Sequence, residues 1–192
     1  MTAQAQEKPI ITPSEYLEFE RNSEFKHEYF EGEIFAMVGA SLRHNQISVN
    51  IVSELRRQLK QSPCGPFVND LRVKVQEIEK YTYPDVVIAC NNIELEKVNG
   101  METLLNPIVI IEVISDSTEA YDRGVKFHHY QLIKSLQEYI LVSQYSCFVE
   151  KFIRVNNDEW IYFSCNNINE TISIESVNCK LMLSDIYYMV EW

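Results

Sequence analysis

Two stretches of this chain, PDVVIAC at 84–90 and IVIIEVIS at 108–115, are short and almost continuously apolar. Runs of that length, rich in Val and Ile, suit strands covered on both faces, the interior of a sheet with helices packed against it. They constrain the fold most, because a sheet buried on both sides needs amphipathic helices to cover it. Both are legible. Ile47, Ile51, Leu55 and Leu59 recur at helical spacing across about 43–61, and STEAYDRGVKFHHYQLIKS predicts a helix over about 120–134, with Gly124 a mild weakness.

The flanking segments fill in an α/β chain. TPSE supplies Thr12 as N-cap, Pro13 at the first helical position and Glu15 to close a capping box, predicting a short helix to about Glu20. HEYFEGEIFAMV reads as an N-terminal β-hairpin turning near Glu31-Gly32. SPCGP ends the long helix, and Leu71, Val73 and Val75 then alternate with Asp70, Arg72 and Lys74, a strand with one polar face. EYILVS is another strand. CFVEKFIRV and EWIYFSC, split by Asn156, Asn157 and Asp158, form a C-terminal antiparallel hairpin. ISIES adds a strand, and LSDIYYMV a closing helix capped by Ser184. Residues 1–11 read as a frayed tail. With 192 residues, 46% of them hydrophobic, and no repeat or boundary, the chain is expected to form a single domain with a mixed β-sheet flanked by helices.

Charge and cysteine content narrow the function classes. A net charge of −11 argues against coating nucleic acid with the whole surface, although a local basic groove is compatible with it. Acids dominate 14–34, and the balance reverses over 42–80. There, Arg56, Arg57 and Lys60 read either as the outer face of a helix or as a phosphate-tracking patch. Five scattered cysteines without a Cys-x-x-Cys suggest reduced thiols rather than a disulfide framework or zinc site. No apolar run approaches a membrane span and no leader is visible, so the expectation is a cytoplasmic protein with no membrane association.

Glu112 is the exception inside the second apolar run. An ionised carboxylate there must be protonated, paired or bound to a cation. It shares a face with Ile110 and Ile114, while Asp85 opens the neighbouring buried run, so the two acids can converge at the end of adjacent strands. Close carboxylates repel unless a proton or cation intervenes. Simple pairing with Arg or Lys at the sheet edge is the plainer alternative. Lys126, four residues after Asp122 on one helical face, reads either as half of an exposed helix pair or as a third member of this group. His128 and His129 are adjacent, which argues against a two-histidine metal site.

Pro84-Asp85 followed by Glu112-Val113 resembles the active-site signature of the PD-(D/E)XK nuclease superfamily. The ordered set HEYFEGEIFAM, the histidine of SLRHN, YPDVVI, PIVIIEVISDST, YDRGVKFHHY and EYILV resembles, more specifically, the Uma-type putative restriction endonuclease family. The resemblance runs from about Pro13 to Tyr187. It implies a restriction-endonuclease-like fold and Mg²⁺-dependent endonuclease hydrolysis of DNA phosphodiester bonds, with Mn²⁺ as a substitute. Asp85 and Glu112 are then the metal ligands, and Lys126 orients the attacking water or stabilises developing charge. Ile114 stands where the superfamily signature has lysine, and Lys126 is the candidate replacement. Glu28, Asp70 and His44 match positions that complete the shell. The alternative is a nuclease fold without catalysis that serves binding or assembly. A homodimer is expected, since two sites related by a two-fold axis cut both strands of a duplex, with Phe148, Phe152, Trp160, Tyr162 and Phe163 offering the contact surface.

Overall fold

The computed structural model of the chain describes residues 10–115, 118–157 and 159–192. Most of the expected frayed tail, and Asp158 of the hairpin turn, lie outside the described residues. Helix α1 (Pro13–Asn22) begins on the expected capping box: Thr12 Oγ1 accepts from the Glu15 N–H, and the Glu15 carboxylate accepts from the Thr12 N–H at 2.8 Å. Strands β1 (His27–Phe30) and β2 (Glu33–Ala36) turn through Glu31 and Gly32, both left-handed at φ 49° and 81°, as a two-residue hairpin requires. Helix α2 (Leu42–Gln58), capped by Ser41 and prolonged by a 3₁₀ turn (Leu59–Gln61), buries Ile47, Ile51, Leu55 and Leu59.

Seven strands follow: β3 (Cys64–Val68), β4 (Arg72–Val75), β5 (Lys80–Thr82), β6 (Val86–Cys90), β7 (Leu95–Val98), β8 (Met101–Leu104) and β9 (Val109–Ile114). A continuous helical stretch then runs through α3 (Glu119–Tyr121), a π turn (Asp122–Lys126) and α4 (Phe127–Gln131). The chain closes with β10 (Glu138–Ser143), β11 (Val149–Arg154), β12 (Trp160–Cys165), β13 (Thr171–Ile174), β14 (Cys179–Met182) and α5 (Leu183–Ile186).

The central sheet has the order β12-β11-β10-β9-β6-β3, and a second six-stranded sheet the order β2-β1-β5-β4-β8-β7. Strands β9 and β10, the only parallel pair of the central sheet among the described residues, need a crossover, and the helical stretch 119–131 supplies it. One face of β6, β9 and β10 packs under α2 and the β13–β14 hairpin through Val86, Ile88, Ile111, Val113 and Ile140. The other, with Val87, Ile110, Ile114 and Leu141, meets Tyr130, Ile133 and Leu136 from the crossover and Val73 and Val75 from β4. The apolar runs are thus central strands covered on both faces, as their sequence implies.

Four expectations need correction. SPCGP does not merely end a helix: Gly65 and Pro66 lie within β3, where proline is tolerated because β3 is an edge strand. Arg72 is buried rather than on a polar face, its guanidinium within 5.7 Å of the Tyr16 and Tyr81 ring centres and donating to Thr103 Oγ1 at 2.8 Å. Ser184 lies inside α5, and Met182 holds the cap position. Cys64 and Cys90 form a disulfide: they face each other across β3 and β6, a register their separation of 26 residues does not reveal.

Candidate active site

The register of β6 against β9 sets Val86 opposite Ile111 and Val87 opposite Ile110. Continued by one residue, it sets Asp85 opposite Glu112, on the face covered by the crossover helix. Proline before Asp85 ends the approach of the chain without asking for another ladder hydrogen bond. The Asp85 side chain takes over: its Oδ2 accepts from the Val113 N–H at 2.7 Å and lies 3.1 Å from His44 Nε2, in the first turn of α2.

Glu112 is held from the crossover helix. Its Oε1 accepts from the Tyr130 hydroxyl at 2.9 Å and lies 2.8 Å from Lys126 Nζ. Asp122, Lys126 and Tyr130 follow one another at four-residue intervals, so one helical face carries all three onto the sheet, and the π turn widens the helix where the first two enter. Lys126 Nζ also lies 3.3 Å from Asp122 Oδ1 and 3.9 Å from Glu28 Oε1. Glu28, from β1, accepts from the Thr82 hydroxyl, which is in turn 3.3 Å from the Tyr130 hydroxyl. Lys126 is therefore not half of an exposed helix pair; its side chain is 9% exposed.

The cluster is negative. Glu28, Glu112 and Asp122 face the ammonium groups of Lys126 and of a second lysine, Lys80, which is fully buried, and Asp85 adds a fourth acid beside Glu112. Counted formally, with every carboxyl ionised and histidine neutral, the four acids exceed the two ammonium groups by two. Burial pushes the Glu112 carboxyl up to about 8, against the pull of Lys126, and Asp85 and Asp122 push it further. One ammonium thus does not fully compensate this carboxylate. Burial works against the charge on Lys126, but Glu112, Tyr130, Glu28 and Asp122 together hold it well above the ordinary lysine range.

The donor set suits a hard divalent cation. Among the described residues, the second oxygens of Asp85 and Glu112 have no hydrogen-bond partner, and the buried Asp122 Oδ1 has only its ion pair with Lys126. No set of three or more His, Cys, Asp or Glu side chains is poised to cage an ion among those residues. A cation here would rest on two carboxylates, with water and phosphate filling its other positions, which is the habit of Mg²⁺.

Of the residues singled out in the sequence, Asp85, Glu112, Lys126, Glu28 and His44 come together. Asp70 does not: it lies in the turn between β3 and β4, 79% exposed, and pairs with Lys26 at 2.5 Å. Arg56, Arg57 and Lys60 are exposed at the far end of α2, about 18 Å along the helix from His44, and Arg57 is engaged by Glu54. Tyr130, Thr82, Tyr121 and Lys80 were not anticipated. The four-residue rhythm Asp122–Lys126–Tyr130 could have pointed to the first; nothing local marks Lys80 or Thr82.

Comparison with known proteins bears on the family and the fold. The sequence profile of the Uma2 family, described as "Putative restriction endonuclease", matches residues 13–183. Two proteins of Synechocystis sp. (strain ATCC 27184 / PCC 6803 / Kazusa) are similar along their length. "Uncharacterized protein slr1290" is 32% identical over 179 residues, covering 93% of this chain and 92% of that protein. "Uncharacterized protein sll1609" is 34% identical over 152 residues, covering 79% and 85%. The crystal structure of a putative nuclease belonging to DUF820 from Anabaena variabilis ATCC 29413 shares the fold, with a TM-score of 0.76 at 20% identity over 94% of this chain and 99% of that one.

Proposed function

Starting from the premise that this chain belongs to the Uma2 family, described as "Putative restriction endonuclease", we propose that it is a Mg²⁺-dependent endonuclease acting on DNA, with Mn²⁺ able to substitute. The observation that carries the reading is the facing pair Asp85 and Glu112, with Lys126 Nζ 2.8 Å from Glu112 in a cluster where four carboxyls outnumber two ammonium groups. Asp85 and Glu112 would hold a divalent cation, which would supply Lewis-acid polarisation of a phosphate. The chain's own groups do the rest. The Val113 N–H and His44 fix Asp85; Tyr130 fixes Glu112. Lys126 brings a positive charge beside the acid pair, where it stabilises negative charge developing on the phosphate oxygens. It reaches that point from the crossover helix, so Ile114 can occupy the strand position of the signature lysine and pack in the core.

The test is cleavage of mixed plasmid and single-stranded DNA in Mg²⁺ or Mn²⁺ by the wild type and by Glu112→Gln. Cutting that requires the cation and is lost in the variant is expected. Cutting at the same rate in both proteins would rule out this site. A wild type that binds DNA in the presence of the cation without cutting it would favour the binding-module reading, in which Lys126 closes the carboxylate cluster instead of meeting a phosphate.

A further inference from the structure

Lys80 is fully buried and has no carboxylate within ion-pair distance among the described residues. Its Nζ meets two neutral groups instead, the Tyr121 hydroxyl at 2.5 Å and His129 Nδ1 at 3.2 Å, and lies 5.5 Å from the centre of the Phe30 ring. A buried cation without an ion pair is costly, and such groups concentrate where function requires them. Further out, Lys80 faces Glu28 from β1, Glu112 from β9, and Asp122 and Lys126 from the π turn. It therefore borders the acid cluster without touching the Asp85–Glu112 pair.

The direction of the hydrogen bonds follows from donor and acceptor chemistry. An ammonium has three hydrogens to donate and no lone pair. Lys80 must donate to both partners, so the Tyr121 oxygen accepts, His129 Nδ1 accepts, and the phenolic hydrogen of Tyr121 points away from Lys80. Tyr121 is 36% exposed, immediately precedes Asp122, and is faced by Glu28, Lys126, Asp122 and Glu112. Its outward hydrogen stands at the rim of the acid cluster, polarised by a buried positive charge. An acidic cleft that must hold a polyanion needs such donors.

We propose that Tyr121 donates its phenolic hydrogen to a phosphate oxygen of the bound nucleic-acid strand, and that Lys80 is the positioning residue that aims it. This rests on the nuclease reading above and adds a substrate contact to it. The contact has a built-in dependence on protonation. Burial lowers Lys80 to about 8, with Glu28 opposing and Lys126 reinforcing the shift. Once Lys80 loses its proton, its lone pair accepts the phenolic hydrogen, and Tyr121 turns its donor inward.

The experiment is fluorescence anisotropy of labelled random-sequence oligonucleotides, single-stranded and duplex, with Ca²⁺ in place of Mg²⁺ so that binding is read without cutting. Tyr121→Phe should bind about tenfold more weakly near pH 7, the low end for a hydrogen bond to a charged group. Lys80→Met should lose as much, and the double variant no more than either single one. The ratio of wild-type to Tyr121→Phe affinity should shrink towards one from about pH 7 to about pH 9, and hold steady in a Lys80→Arg background. A merely structural role for Lys80 would not move that ratio. Tyr121→Phe needs no rearrangement to fold, so it decides the matter even where Lys80→Met fails. Wild-type binding matched by Tyr121→Phe overturns the inference alone; a wild type that binds neither oligonucleotide overturns the nuclease reading with it.

Discussion

Lys126→Met is the most informative single substitution. In the structure the ammonium lies 2.8 Å from Glu112 and 3.3 Å from Asp122, and both carboxylates are almost fully enclosed. Methionine keeps the stem and its packing but removes the charge. Breaking a buried pair by deleting one partner costs roughly 3–5 kcal/mol, because the remaining charge is uncompensated. The low end, about 3 kcal/mol, applies here, since the Tyr130 hydroxyl stays on the same Glu112 oxygen and a carboxyl already pushed up to about 8 can take up a proton. For a chain of this length that lowers Tm by about 6–12 °C. The variant should be compared with the wild type by thermal unfolding, first in EDTA and then with saturating Mg²⁺. The deficit should appear in EDTA and shrink with the cation, because a divalent ion replaces the missing charge and no longer competes with the ammonium for Glu112. Phosphodiester cleavage should meanwhile fall by roughly two to three orders of magnitude, the effect of losing one stabiliser of transition-state charge. Equal Tm for the two proteins in EDTA would refute the reasoning, since it would mean that Lys126 and Glu112 do not compensate each other in the fold.

Lys80 should leave a signature in stability as well as in binding. Its folded-state value of about 8 lies below the ordinary 10.5, so the unfolded chain holds more protons between those limits and stability rises with pH across that window, by up to about 3 kcal/mol; denaturant titrations should show the rise in the wild type and not in Lys80→Met. Reducing the Cys64–Cys90 disulfide, which closes a separation of 26 residues, should lower stability by about 3 kcal/mol, and an unchanged denaturation midpoint would count against the cross-link. We also propose that the chain is a homodimer. Strand β12 is an open edge of the central sheet and exposes Ile161, Tyr162 and Phe163, each nearly half accessible, so light scattering should report a dimer that Phe163→Lys weakens.

Legibility in the sequence followed locality. The capping box at Thr12–Glu15, the stripe from Ile47 to Leu59 and the runs around Val87 and Ile111 are written in neighbouring residues, and each forms the expected element. The β7–β8 hairpin was missed although Asn99-Gly100, both left-handed in the structure, is a strong local turn signal. Strand β5 was hidden for a different reason: three residues, one of them a fully buried lysine, give no alternation to detect. Within the site, Asp85 and Glu112 announced themselves as charges beside apolar runs. Lys80, Thr82 and Glu28 reach the same cluster only because β5 pairs with β1, a contact between segments about fifty residues apart. The disulfide belongs to the same class, since cross-strand register alone brings its cysteines together. Asp70 illustrates the converse error, an acid counted on a strand face that lies in a turn and pairs with Lys26.

All of the chemistry proposed here depends on one divalent cation closing the charge left over between Asp85 and Glu112. Calorimetric titration with Mn²⁺ of the wild type and of the Asp85→Asn/Glu112→Gln double variant tests that claim directly. A single site per chain in the wild type, lost in the double variant, is the predicted result. Binding of equal strength in both proteins, or none in the wild type, would contradict it.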